Sequence, residues 1–226
     1  MQFTYYGHSC FSVKIQGKTI LFDPFITGNE LAGHIDVDKI QADYILVSHG
    51  HSDHVGDLLS IAKRTGALVI AAFEITEWLA AQGIAHVHPL NLGGKKSFDW
   101  GTVKMVPAVH SSVLPDGTYG GNPGGFVITS PDGNFYYSGD TSLTLDMQLI
   151  PRYAVLNFAV LPVGDNFTMG PEDAVIAAEF INCSKIIGVH YDTFGYVKID
   201  HAYAQQCFTD KGRELLLPEI GETIEL

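Results

Sequence analysis

Short apolar runs separated by glycine and charged turns dominate the first third of the chain. Residues 3–6, 11–15 and 19–22 read as three strands, with Gly7 and Gln16-Gly17-Lys18 as the turns between them. A loop bearing Gly and Asp leads to a further strand at residues 44–47. Across residues 55–64, apolar Val55, Leu58, Leu59 and Ala62 recur at the three-to-four spacing of a helix with one buried face. Strand (67–71), helix (75–82) and strand (85–88) follow, and the middle turns strand-rich again at 96–98, 103–106, 125–129 and 135–138. Later, residues 143–150 read as a helix and 155–161 as a wholly buried strand. Pro171, Glu172 and Asp173 open a helix running to about Ile181, because proline is tolerated in a first turn and acids favour its positive end. Residues 185–189 form the next buried strand, and the pattern yields no element beyond it. No linker, repeat or low-complexity tract divides these segments. The expectation is one α/β domain over residues 1–226, with two sheets burying a shared core and helices outside.

Composition narrows the function. The chain is 46% hydrophobic and 17% charged, as folded globular proteins are. No apolar run is long enough for a membrane helix, and the first residues lack the pattern of a secretory signal. Cys10, Cys183 and Cys207 are odd in number and widely spaced, which fits small core residues in a reducing cytoplasm. A net charge of −12, with only 13 Lys and Arg, argues against a broad basic nucleic-acid surface. A small-molecule substrate is the expected partner and nucleic acid the less expected one. No membrane partner is expected, and a homo-oligomer is compatible with the sequence.

The chemistry concentrates at His49, His51, Asp53 and His54, just after the apolar strand at 44–47. In an extended loop residues two apart point the same way, so His49 and His51 can converge on one ion. Asp53 and His54 follow one turn on and can face a second. Imidazole nitrogen with carboxylate oxygen suits zinc, manganese or iron better than calcium or magnesium. His110, Asp140, Asp165 and His190 likewise follow apolar strands, so one rim of the two sheets would bring them together.

The order His-X-His-X-Asp-His, then His, Asp and His, resembles the metallo-β-lactamase superfamily along essentially the whole chain. Gly7-His8-Ser9-Cys10-Phe11, Leu21-Phe22-Asp23-Pro24-Phe25, Thr168-Met169-Gly170-Pro171 and His190-Tyr191-Asp192-Thr193-Phe194 are similar to its metal-dependent hydrolases of unassigned substrate, a branch similar to the L-ascorbate-6-phosphate lactonases. The resemblance implies a four-layer αββα sandwich with two divalent ions at one edge, zinc first and manganese second. Carried over by position, His49, His51 and His110 would hold the first ion, Asp53, His54 and His190 the second, and Asp140 would bridge them. Water activated between the ions would attack a small ester, lactone or phosphoester, with Asp53 also serving as the catalytic proton acceptor. The ligand cysteine of some β-lactamases has no counterpart here, which tells against antibiotic hydrolysis.

Several assignments stay open at this stage. Asp23 is either a turn residue before Pro24 or a carboxylate supporting a ligand histidine. His8 is a turn histidine or a neighbour of metal or substrate. Asp165 is expected to order the loop towards Thr168, and His34, His86, His88 and His201 match no motif. Gly120, Gly121, Gly124 and Gly125 suggest a mobile loop beside the site, from which Tyr119 and Asn122 could reach substrate. Two other functions compete: a metal-dependent nuclease or phosphodiesterase, and a di-iron redox or binding protein. Relatives of the first kind carry an added substrate-binding region, and those of the second a flavin domain and an acidic cluster residue; neither is visible here.

Overall fold

In the computed structural model, which describes residues 1–226, two mixed seven-stranded sheets lie face to face. In the first, β1 (Gln2–Gly7), β2 (Cys10–Ile15) and β3 (Lys18–Phe22) form an antiparallel meander. To this β4 (Tyr44–Leu46), β5 (Leu68–Ala71) and β6 (Val87–Pro89) add in parallel. The second sheet repeats the plan. β7 (Lys95–Phe98), β8 (Gly101–Pro107), β9 (Gly124–Ser130) and β10 (Gly133–Tyr137) are antiparallel neighbours. β11 (Phe158–Pro162), β12 (Lys185–Val189) and β13 (Glu214–Leu216) then run parallel. The last strand, β14 (Thr223–Glu225), returns to the first sheet and pairs antiparallel with β1, Glu225 opposite Gln2.

The antiparallel strands are joined by tight turns, except for the longer segment 108–123 between β8 and β9, whereas each parallel continuation needs a crossover, and the crossovers supply the outer helices. α1 (Ser52–Val55), α2 (Leu58–Thr65) and α3 (Phe73–Ala81) flank the first sheet, where Leu58, Ile61, Ile75 and Leu79 join its core. α4 (Pro171–Phe180) and α5 (His201–Thr209) cover the second, burying Ala174, Ala178, Ala204 and Phe208 against Ala159 and Ile186. The layers are therefore helix, sheet, sheet, helix. Between the sheets, Phe3, Phe11 and Phe22 stack in succession at 4.9 and 4.5 Å, and Tyr137 meets Phe11 edge-on at 5.1 Å. No helix is long and apolar enough to cross a membrane, and all three cysteines are unpaired.

Three segments depart from the sequence reading. The helix expected over 143–150 is a 3-10 segment, Leu145–Arg152, because Pro151 inside it cannot donate to an α-helical ladder. The strand expected from Val155 begins only at Phe158, and Val155 is 85% exposed. The helix expected from Val55 is two pieces parted at Gly56 and Asp57, since α2 ends at Thr65 but starts only at Leu58.

Candidate metal centre

The C-terminal ends of β1, β3, β4, β8, β10 and β12 open on one rim, the place where strand-end crevices form in such sheets. The loop leaving β4 carries His49 and His51, and His51 begins α1, whose single turn carries Asp53 and His54. His110 follows β8, Asp140 follows β10 and His190 follows β12. Asp140 is preceded by Gly139 at φ 61°, where an added Cβ would stand 2.6 Å from Gly124 O; only glycine lets the chain turn there. His8, Asp23 and His190 themselves adopt left-handed backbone, φ 54°, 42° and 58°. Such strain in non-glycine residues collects where a side chain must be aimed.

All seven residues expected from the sequence converge. Donor atoms of His49, His51 and His110 lie within 4.8 Å of one another, and so do those of Asp53, His54 and His190 together with His8. Between the groups stands Asp140 Oδ2, 2.9 Å from His190 Nε2, 3.2 Å from His54 Nε2, 3.7 Å from His110 Nε2 and 4.0 Å from His49 Nε2. Asp165 is elsewhere: its backbone N–H donates to Met169 O and its carbonyl accepts from Thr168, ordering that loop as expected.

Asp23 proves to be the organiser behind the cluster. It is buried and accepts from Ser48 N (2.8 Å), Ser48 Oγ (2.6 Å), Tyr137 OH (2.5 Å) and His54 Nδ1 (2.8 Å). With its hydroxyl proton given to Asp23, Ser48 Oγ accepts from His49 Nδ1 at 2.9 Å. His49 Nε2 is thereby left as a lone pair facing His51 Nδ1 at 3.0 Å. His54, with Nδ1 on Asp23, turns its Nε2 to the Asp140 carboxylate at 3.2 Å. Burial opposes charge on His54, but Asp140 and Asp23 overcome it and hold its pKa well above the usual value. Burial, with repulsion from His54 and the other neighbouring rings, pushes the pKa values of His49, His51 and His110 down and leaves them neutral. Asp140 is kept well below the usual carboxylate range by His190 and His54 despite its burial.

This arrangement fits a divalent cation. Asp140 Oδ1 and His190 Nδ1 are enclosed with no hydrogen-bond partner, and the Nε2 atoms of four histidines gather around Asp140 Oδ2. The donor set, imidazole nitrogen with a minority of carboxylate oxygen, is that of zinc- or manganese-type ions.

His8 stands beside the second group of the cluster. Its Nε2 lies 3.1 Å from Asp53 Oδ2 and its Nδ1 2.9 Å from Thr193 Oγ1. Two of the motifs quoted above, around His8 and around Thr193, therefore meet through one ring. Of the glycines at 120–125, only Gly120 and Gly121 lie in the loop that follows β8. Gly124 and Gly125 open the buried strand β9, and Tyr119 OH donates to Asn122 Oδ1 rather than pointing into the cleft. His34, His86 and His201 bond to Ile220 O, Gly66 O and Asp192 respectively, and His88 packs against Phe98; all are outside the cluster. Ser48, Tyr137 and Phe167 escaped the sequence reading because hydroxyls and apolar residues near strand ends carry no spacing signal.

The Beta-lactamase superfamily domain matches residues 18–191. A UPF0173 metal-dependent hydrolase of Flavobacterium johnsoniae is 53% identical over 226 residues, covering all of both chains. The chain belongs to the UPF0173 metal-dependent hydrolase family. Among solved structures, the metallo hydrolase Igni18 of the archaeon Ignicoccus hospitalis superimposes with TM-score 0.89 at 32% identity, over 99% of this chain and 97% of that one. An isothiocyanate hydrolase from Delia radicum gut bacteria shares the metallo-β-lactamase fold, with TM-score 0.81 at 19% identity over 100% and 99% of the chains. The UPF0173 relationship accordingly spans every element that builds the rim.

Proposed function

We propose that the chain is a hydrolase with a two-ion centre, in which His49, His51 and His110 hold one divalent ion, Asp53, His54 and His190 the other, and Asp140 serves both. The observation that carries this is Asp140 Oδ2, which faces imidazole nitrogens of both groups at 2.9–4.0 Å. Zinc is the first choice of ion and manganese the second, because five imidazoles outnumber two carboxylates. Bound there, such ions supply Lewis acidity, polarising a carbonyl or phosphoryl oxygen and making water more acidic.

The chain's own residues divide the remaining work. Asp53 is the carboxylate placed to take up and return a proton, since its side chain is 26% exposed while that of Asp140 is 2% exposed. His8 fixes the Asp53 carboxylate by the bond to Oδ2. Asp23 fixes one ring in each group, His54 directly and His49 through Ser48. The cleft above these residues measures about 280 Å³, which suits a small ester, lactone or phosphoester.

Elemental analysis after dialysis is expected to approach two ions per chain. Asp140→Ala should weaken both and cost more than the roughly 10–100-fold lost with a supporting partner alone. His34→Ala should leave content and rate unchanged. Two tightly held ions and an ordinary rate in Asp140→Ala would overturn the shared-carboxylate assignment.

A further inference from the structure

Apart from the proposed ligands, the cleft is lined only by Ser111 and Phe167. Phe167 is 53% exposed, and its ring meets that of Tyr196, 75% exposed, edge to face at 6.0 Å. Phe167 in the wall of the cleft and Tyr196 packed beside it, both rings facing water, form an apolar seat. The loop presenting Phe167 is held there deliberately. Asp165 and Asn166 take left-handed backbone, φ 59° and 52°, a turn conformation that aspartate and asparagine adopt more readily than other residues with side chains. Met169 N–H donates to Thr141 O at 3.0 Å, tying the loop to the residue after Asp140. Phe167 is thus positioned relative to the centre itself.

Charge gives the complementary half. None of the 13 Lys and Arg lines the cleft. Lys95, Lys104 and Arg152 gather in a separate groove on the second sheet, and Arg64 is spent on the carbonyls of Val37 and Ile40. A phosphate or carboxylate held within the cleft would find no ammonium or guanidinium among its walls to receive it. The net charge of −12 adds repulsion.

We propose that the centre acts on an uncharged carboxylic ester or lactone whose apolar, preferably aromatic, group rests on Phe167 and Tyr196. This rests on the hydrolase reading above and names its substrate class. The reaction balances with one water: a C–O bond forms at the acyl carbon, the bond to the alkoxy oxygen breaks, and the alcohol leaves with one proton. The carboxylate and a second proton remain, and no oxidant or further reactant is required.

Three acetates with the same scissile bond test it on zinc-loaded protein: benzyl acetate, methyl acetate and 4-(acetoxymethyl)phenyl phosphate. Benzyl acetate should exceed both others at least tenfold in kcat/KM, and Phe167→Ala should reduce that advantage at least tenfold, chiefly through KM. Binding of the uncleaved amides N-benzylacetamide and N-methylacetamide, followed by ligand NMR, should show the same tenfold preference and the same loss in Phe167→Ala. Equal binding of the two amides, or faster cleavage of the phosphate-bearing ester, would overturn the proposal while leaving a hydrolase. The amide preference without cleavage of any acetate, lactone or phosphoester would instead sink the hydrolase reading and leave the apolar seat standing.

Discussion

At His8 the ring is pinned at both nitrogens, by Asp53 and Thr193, and lies 4.2 Å centroid to centroid from the His190 ring. Burial and the neighbouring His190 push its pKa down to about 4, against the ordinary 6.5. The unfolded chain therefore binds more protons at this residue between pH 6.5 and 4, so the contribution is full above 6.5 and lost as pH falls towards 4. A shift of that size is on the order of 3 kcal/mol. In metal-free protein, stability from urea unfolding should decline over that range, and more gently in His8→Gln. Identical slopes would mean that His8 does not govern the loss. The site at this scale was legible in part. His49, His51, Asp53, His54 and His110 announce themselves by residue type after apolar strands. Asp23 does not, because a carboxylate before proline has the same sequence signature whether it caps a turn or gathers four donors.

The break between α1 and α2 is where an element is shaped by one side chain. Asp57 is buried, and its carboxylate accepts from Ile26 N (2.6 Å), Thr27 N (2.9 Å) and Thr27 Oγ1 (2.6 Å). It ties the segment after Asp23 to the helix pair that presents Asp53 and His54. Asp57→Ala should cost about 2–4 kcal/mol of stability, since enclosed donors are left unpaired. A loss under about 0.5 kcal/mol on denaturant unfolding would show that water replaces the carboxylate. The periodicity at Val55, Leu58 and Ala62 cannot reveal this break, because both pieces bury the same face. The C-terminal elements were illegible for another reason. α5 buries only Ala204 and Phe208, and β13 and β14 are three residues each, too short for any period to register.

Across the whole molecule, alternating strand and helix signals sufficed for two sheets with outer helices, and the histidine order for which rim they share. What they could not convey is that β14 crosses back to β1, since an edge pairing 223 residues apart leaves no local trace. The proposed ligand groups divide in a telling way between the two sheets. Each takes two residues from the first sheet's loop and one from the second sheet, with Asp140 also from the second. A cut in the turn at residues 90–94 would leave one fragment with His49, His51, Asp53 and His54, and the other with His110, Asp140 and His190. Neither fragment holds a complete group, so each ion becomes a clasp between strangers. The two fragments, made separately and mixed, should associate at least tenfold more tightly with zinc than with a chelator, by mass action on the joined state alone. Equal association in both solutions, read by gel filtration, would mean the core and β14 suffice. The opposite result would make this hydrolase a metal-responsive split protein, its two halves reporting on free zinc by the simple fact of meeting.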